Sequence, residues 1–398
     1  MPVRVTRPRL GLACAVAIAG TLAGCSTGES GGGTSDRAVY ISVPLEGAAG
    51  TYGRAIQQGA ELARRREAAR GDRPRGLRLE VRDDTRDGRW SPVAAADNAR
   101  AATSDSAAVA YLGEFESGAT SSSLPITNEA RMLQVSPAST ALDLVGPFPG
   151  SDEVPELVQP TGERTFGRVI PDDEAQAAAG AAWARRLGAR SALVVSDGSG
   201  FGDAVSDEFA EEAEALGIAV ERAGRRVEAA RVARSNPDLV YFGGIADAAL
   251  PLLERVAGLP DALLMGTDAL LLDHRFLRRA QPHESRLRLT ASAQDPTQLP
   301  PPHGPRFVRR FRATYGHGPD PYAAYGYEAM AVTLDSIERA SDPVDRATIL
   351  DAFFDTRNRD SVLGTYSIDE LGNTTLNRLA GYRVRDGRPV FDAGLGAP

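Results

Sequence analysis

From Arg37 onward, short runs of consecutive aliphatic and β-branched residues alternate with longer Ala-rich stretches of helical period. Apolar residues at successive positions mark strands buried on both faces, and strands separated by helix-length segments mark a parallel sheet. On this pattern Ala38 to Val43, Leu77 to Val81, Ala108 to Leu112 and Met132 to Val135 are expected strands, with helices over Tyr52 to Arg66, near Pro92 to Ala102 and from about Gly118. Between Val145 and Arg164 the pattern breaks into Pro, Gly and acidic residues. It resumes with expected strands at Phe166 to Ile170, Ser191 to Val195, Ile218 to Glu221, Leu239 to Phe242 and Leu263 to Met265. A long Ala-rich helix follows Ile170, and further helices cover Asp203 to Leu216 and Ala246 to Ala257. Helices near Pro305 to Thr314, Tyr322 to Ala340 and Asp345 to Phe354 precede two or three terminal strands. The repeated βα order predicts an α/β protein of two doubly wound parallel-sheet lobes, with ligand loops at the strand carboxyl ends.

The first 36 residues follow a different rule. Arg4, Arg7 and Arg9 precede an apolar segment from Leu10 to Leu22, which ends in Leu22-Ala23-Gly24-Cys25. A basic start, a short apolar run and small residues before a cut define an export signal, and the run is too short to span a bilayer. A Cys directly after Leu-Ala-Gly resembles the lipobox of secreted lipoproteins, whose Cys25 would be acylated. Ser26 to Asp36 is Ser, Thr and Gly with two acids, a composition that buries too little apolar surface to fold. Residues 1–25 are therefore expected to be a lipoprotein signal, and 26–36 a flexible tether with ends about 18 Å apart.

Charge and cysteine content narrow the function. The formal net charge is −8 before cleavage. All basic residues but the four histidines are Arg, and loss of three arginines with the signal makes the remainder more acidic. A nucleic-acid partner is disfavoured, since phosphate binding needs basic surface. Cys14 lies in the signal and Cys25 at its end, so no internal disulfide is expected. His274, His283, His303 and His317 are scattered without metal-ligand spacing, and there is no Gly-x-Ser-x-Gly elbow or phosphate loop with a Lys. No enzyme, metal or cofactor is expected.

The strand-end loops carry the candidate chemistry. Ser117-Gly118-Ala119-Thr120 and Ser136-Pro137-Ala138-Ser139-Thr140 follow adjacent strands and open toward helices. Free N–H groups at a helix start, together with Ser and Thr hydroxyls, form a neutral cradle for a carboxylate. Either loop taken alone reads as a plain helix cap, and it is the pair on adjacent strand ends that favours the cradle. Gly198-Ser199-Gly200-Phe201-Gly202 follows a strand and lacks the spacing of a dinucleotide fingerprint, so it either approaches a ligand or turns tightly.

The run Val43-Pro44-Leu45-Glu46-Gly47 through Tyr52-Gly53, with Gln58-Gly59-Ala60-Glu61 behind it, resembles the opening of the type I periplasmic binding proteins of the leucine/isoleucine/valine receptor group. The resemblance continues through Arg82-Asp83-Asp84, Ser117 to Thr120, Ser136-Pro137-Ala138, Asp197 to Gly202, Phe242-Gly243-Gly244, Gly266-Thr267-Asp268, Pro321 to Tyr325 and Leu363 to Tyr366. It implies that Ser117, Ala138 and Thr140 hold a ligand carboxylate, that Asp268 meets the ligand ammonium, and that Tyr52, Phe201 and Tyr322 line the cleft. A cradle for an anion facing a carboxylate is what a zwitterion needs, because each buried charge must find a partner. Ile245-Ala246 departs from the family pattern, where an aromatic residue often lines the cleft.

The expected organisation is a first lobe of residues 37–143 and 290–357 and a second of 164–288 and 360–391, joined by a hinge of three chain crossings. The expected function is a lipid-anchored, extracytoplasmic solute-binding protein that delivers an amino acid or related small carboxylate to an ABC permease. A ligand-sensing or interaction lipoprotein on the same fold is the alternative.

Overall fold

The computed structural model describes residues 37–68, 77–146 and 153–396. The signal segment with Cys25, the tether, and part of the acidic break (147–152) lie outside the described residues. In chain order the strands are β1 (Ala38–Val43), β2 (Arg78–Asp83), β3 (Thr85–Arg86), β4 (Arg89–Trp90), β5 (Ala108–Leu112), β6 (Leu133–Ser136), β7 (Phe166–Arg168), β8 (Ser191–Ser196), β9 (Ala219–Gly224), β10 (Leu239–Gly243), β11 (Leu263–Gly266), β12 (Leu287–Ala291), β13 (Arg359–Asp360), β14 (Thr365–Tyr366), β15 (Arg378–Arg385) and β16 (Arg388–Gly396). The helices are α1 (Gly50–Ala68), α2 (Pro92–Ser104), α3 (Ser117–Glu129), α4 (Asp173–Arg186), α5 (Gly200–Ala215), α6 (Ala229–Ser235), α7 (Ala246–Arg255), α8 (Asp268–Leu271), α9 (His274–Arg279), α10 (His303–Tyr315), α11 (Pro321–Arg339) and α12 (Arg346–Phe354).

The strands build two main sheets. One has the order β2-β1-β5-β6-β7 and is parallel throughout. The other has the order β16-β15-β12-β11-β10-β8-β9, parallel from β9 to β12 and antiparallel at β15 and β16. Every residue of β1 and β5 is buried, as continuous apolar runs require of a sheet covered on both faces. Alternate side chains of β1 serve two cores. Val39, Ile41 and Val43 pack with Ile56, Tyr325, Met330 and Phe353, whereas Ala38 and Tyr40 pack with Ala99, Tyr111 and Met132. In the second sheet Leu193, Val240 and Leu264 face one core, and Val194, Tyr241 and Met265 the other.

Helices α1 and α11 meet through glycines. A Cβ on Gly59 would stand 1.9 Å from the Ala323 carbonyl oxygen, and one on Gly326 would stand 2.3 Å from that of Ile56. Only a missing side chain allows so close a backbone approach.

The chain passes between the sheets three times, after β7, after β12 and before β15. These passages correct the expected lobe boundaries. Residues 166–168 close the edge of the first sheet through β6 instead of opening the second lobe. The segment 362–376 places Val362, Leu363, Tyr366, Ile368 and Leu376 in the first core, although it was assigned to the second lobe. Strand β12, through which the expected boundary cuts, belongs to the second sheet beside β11 and β15. In each case pairing with a distant strand decides the location, which local patterning does not record.

Candidate functional site

Strand order reverses between β1 and β5 in the first sheet and between β8 and β10 in the second. Ligand crevices of open parallel sheets form outside the strand carboxyl ends at such points. The loops leaving these ends carry Tyr52, Glu114 to Ser117, Phe201 and Ile245, with Ala138 to Thr140 and Asp268 on the neighbouring strand ends.

Ser117 opens α3, and Glu116 before it supplies no side-chain cap to that helix. The Ser117 hydroxyl oxygen accepts the N–H of Thr140 at 3.2 Å and that of Ala141 at 3.3 Å. Ser136 Oγ accepts the N–H of Ala138 at 3.1 Å and of Ser139 at 2.8 Å, and donates to the Glu114 carbonyl at 2.9 Å. The Ala138 N–H is thus committed within the protein. Ser117 and Thr140 contribute the hydroxyls of the cradle, and the Ser117 O–H has no acceptor among the described residues.

A buried network fixes these loops. The Glu114 N–H donates to Thr120 Oγ1 at 3.0 Å, and Thr120 and Ser139 share a hydroxyl pair at 2.7 Å. The Glu114 carboxyl accepts from Tyr111 and Ser123, both at 2.6 Å, while burial pushes it up to about 8. Arg168 lies beneath, fully buried. Its guanidinium donates to the carbonyls of Ser139 at 3.4 Å and Ala141 at 2.8 Å, and to Asn373 Oδ1 at 2.7 Å. The grip on the Ser139 carbonyl turns the N–H of 140 toward Ser117, and the Asp173 N–H, donating to the Thr140 carbonyl at 3.1 Å, does the same for the N–H of 141.

Three rings form a wall. Tyr52 stacks on Phe115 with centroids 5.6 Å apart, and Tyr322 meets Phe115 edge-on at 5.0 Å and Tyr52 at 5.7 Å. Burial, then the charge of Asp320, pushes the Tyr52 hydroxyl up to about 12. Phe201 does not join this cluster. It sits half-buried in the first turn of α5, with no ring contact among the described residues. The glycine-rich loop around it is a helix cap, in which Ser199 Oγ accepts the Gly202 N–H at 3.0 Å and Asp197 accepts the N–H and O–H of Ser199. Ile245 is 54% exposed where the family often has an aromatic.

Carboxylates gather around the cradle: Glu116 adjoins Ser117, Asp173 bonds the Thr140 carbonyl through its N–H, and Asp268 follows β11 of the second sheet. Burial raises Asp268 to about 6. Burial raises Asp173 to about 7, and the charge of Asp268 adds to it against the pull of the Thr140 side chain and Arg168. Glu116 rises to about 7 through burial and then Asp268. Sequence reasoning passed over Asp173, Glu116 and Gln176, since acids at a helix start ordinarily cap it or answer its dipole. Here Asp172 makes the cap, accepting the Ala175 N–H at 2.9 Å, and Asp173 is 4% exposed with one oxygen lacking a donor. The Gln176 side chain helps hold the Asp268 carboxylate, and the buried hydroxyls of Thr267, Ser292 and Tyr241 have no hydrogen-bond partner among the described residues. This is a polar, enclosed end suited to a ligand's N–H groups. Among the described residues no His, Cys, Asp and Glu cluster has a metal-holding arrangement.

The chain is similar to known binding proteins. A model of the periplasmic binding protein family matches residues 41–388. An amino acid binding protein of Pseudomonas aeruginosa is 25% identical over 327 residues, 79% of this chain and 82% of its own length. A Leu/Ile/Val-binding protein homolog of Brucella melitensis is 24% identical, covering 90% of this chain and 92% of its own. The crystal structure of a leucine binding protein from Thermotoga maritima superposes with a TM-score of 0.72 at 24% identity, over 90% of this chain and 99% of that one.

Proposed function

The chain belongs to the periplasmic binding protein family, a family of extracytoplasmic solute receptors and not of enzymes, and from that premise we propose that it captures an amino acid or related small carboxylate between its lobes and delivers it to an ABC permease. The observation that carries this reading is the pairing of opposites across the cleft. The Ser117 and Thr140 hydroxyls would meet the ligand from the strand ends of the first sheet, and Asp268 from those of the second. A zwitterion satisfies both, its carboxylate on the hydroxyls and its ammonium on Asp268. The Tyr52, Phe115 and Tyr322 wall takes the adjoining apolar part. Closure of the lobes about the three crossings would enclose the ligand, a hinge motion of ordinary type.

The membrane anchor rests on the lipobox-like Leu22 to Cys25 and on the tether after it. Among the described residues no helix is long and apolar enough to cross a membrane. Cys25→Ser should release the protein from the membrane fraction; retention would remove the anchor from the proposal.

The decisive experiment is a thermal-shift screen of the refolded, ligand-stripped protein against amino acids, amides, short peptides and organic acids. A ligand at 100 times its Kd adds about 2.7 kcal/mol of stability, which is readily seen. Stabilisation by α-amino acids supports the reading. Stabilisation only by organic acids would remove the amino acid and leave a small carboxylate as the ligand, stabilisation by none of these compounds would overturn the reading, and loss of uptake of the bound solute on gene deletion tests delivery to a permease.

A further inference from the structure

The first-lobe side of the cleft carries negative charge that a simple zwitterion leaves unanswered. Asp84 follows β2 at the carboxyl edge of the first sheet, held by its N–H on the Val43 carbonyl at 3.3 Å and its carbonyl on the Ser91 N–H at 2.8 Å. Its side chain is 0% exposed, and neither carboxylate oxygen has a donor from any other described residue. Glu116, next to the cradle residue Ser117, is partly exposed, supplies no side-chain cap to α3 and pairs with no arginine among the described residues. The hairpin that Asp84 leads into reaches the start of α3, where a Cβ on Gly118 would stand 2.8 Å from the Trp90 ring, so Asp84 and Glu116 lie on adjoining loops; the charge of Glu116 acts on Asp84, and that of Asp268 on Glu116. The Tyr322 hydroxyl feels Asp268 and Glu116 together, which puts the aromatic wall beside the same carboxylate.

Among the described residues no cation pairs with Glu116 or Asp84. Arg168 directs its N–H groups to Ser139, Ala141 and Asn373 and leans on Asp172 at 3.5 Å. Among the described residues no arginine forms an ion pair with Asp84, Glu116, Asp173 or Asp268. The α-ammonium of a ligand answers Asp268, and its α-carboxylate goes to Ser117 and Thr140. Enclosing Glu116 with Asp84 behind it and no counter-charge would be costly. A second positive group removes that cost, and ring faces beside it add cation–π attraction.

We propose that the cleft selects an amino acid whose side chain carries a second positive charge, an aliphatic ammonium or a guanidinium, received by Glu116 with Asp84 behind it and the Tyr52 and Tyr322 rings alongside. The inference rests on the amino-acid reading above and specifies its ligand class.

Calorimetry with L-ornithine and L-norvaline isolates the second charge, because the two share a carbon skeleton and differ in the terminal ammonium. Ornithine should bind at least about tenfold more tightly than norvaline, with L-arginine similarly ahead of L-leucine. Glu116→Gln should bring the ornithine-to-norvaline ratio close to one, and Asp84→Asn should reduce it. Equal or tighter binding of the uncharged ligands by the native protein overturns the inference and leaves the amino-acid reading standing. A ratio that survives both substitutions, in variants whose unliganded Tm shows them folded, overturns the assignment to Glu116 and Asp84. Failure of every α-amino acid to bind overturns the reading beneath and this inference with it.

Discussion

Ser117 Oγ accepts the Thr140 N–H at 3.2 Å, so the loop after β5 and the loop after β6 meet through one hydroxyl. The same oxygen holds the Ala141 N–H. Ser117→Ala should therefore act twice, removing a donor to the ligand carboxylate and leaving two amides without their acceptor. We expect a stability loss of about 1–2 kcal/mol and a fall in affinity of about tenfold or more. Denaturant titration and calorimetry on one preparation separate the two. Unchanged affinity in the folded variant would remove Ser117 from the cradle.

Asp268→Asn should divide binding from stability. The carboxylate is held up to about 6 by burial, and its charge disfavours ionised Asp173 and Glu116. Neutralising it relieves that repulsion, so the unliganded Tm should stay level or rise. Amino-acid affinity should drop by about a hundredfold, about 2.7 kcal/mol, because the ligand ammonium loses its charged partner. A lower Tm with affinity intact would show that Asp268 is structural.

Stability should fall as pH rises across the neutral range. Burial holds Asp268 up to about 6, Glu116 and Asp173 up to about 7 and Glu114 up to about 8 in the folded protein. Unfolded carboxyls titrate near about 4. Between about pH 4 and 8 the folded state thus keeps protons that the unfolded state has released, and the slope of stability with pH is negative. Carboxylates held low by backbone N–H groups, Asp105 by Ala107 and Asp238 by Arg190, act in the opposite sense and only toward acid. The unliganded Tm should be higher at about pH 5 than at about pH 8. An ammonium ligand favours the ionised acids, so binding near neutrality should release protons, visible as a buffer-dependent heat. Equal Tm values and no proton release would contradict the raised carboxyls.

Two glycines should respond in opposite ways. Gly59→Ala drives a methyl to 1.9 Å from the Ala323 carbonyl oxygen and must part α1 from α11, at a cost of about 1–3 kcal/mol or more. Nothing lies within 4 Å of a Cβ on Gly200, so Gly200→Ala should change stability by no more than about 0.5 kcal/mol. Chemical denaturation of the two variants side by side checks the contrast.

The alternation of apolar runs and helical stretches carried the βα order, because strands such as β1 and β5 are buried along their whole length and leave no polar residue to confuse the period. Strand β12 was harder to see. Leu287, Leu289 and Ala291 alternate with Arg288 and Thr290 just before a Pro-rich stretch, and its partners lie about 20 and 90 residues away. The cradle positions Ser117 and Thr140 could be found from strand-end placement and family resemblance. The acids around them could not, since Asp172 and Asp173 are alike in sequence and only packing decides which caps α4 and which is enclosed. Glu116 reads as an ordinary residue ahead of a helix until Asp84 and Asp268 are brought to it from other strands.

Arg168 ties the cradle to two of the three chain crossings. It grips the peptide planes of 139–141, reaches Asp172 just after the first crossing, and holds Asn373 just before the third. Any swing of one lobe about those crossings is transmitted to the tilt of the cradle, and any ligand that straightens the cradle pulls on the crossings. Posture and occupancy then become one variable, and a membrane partner able to recognise only the posture would still be informed of the cargo.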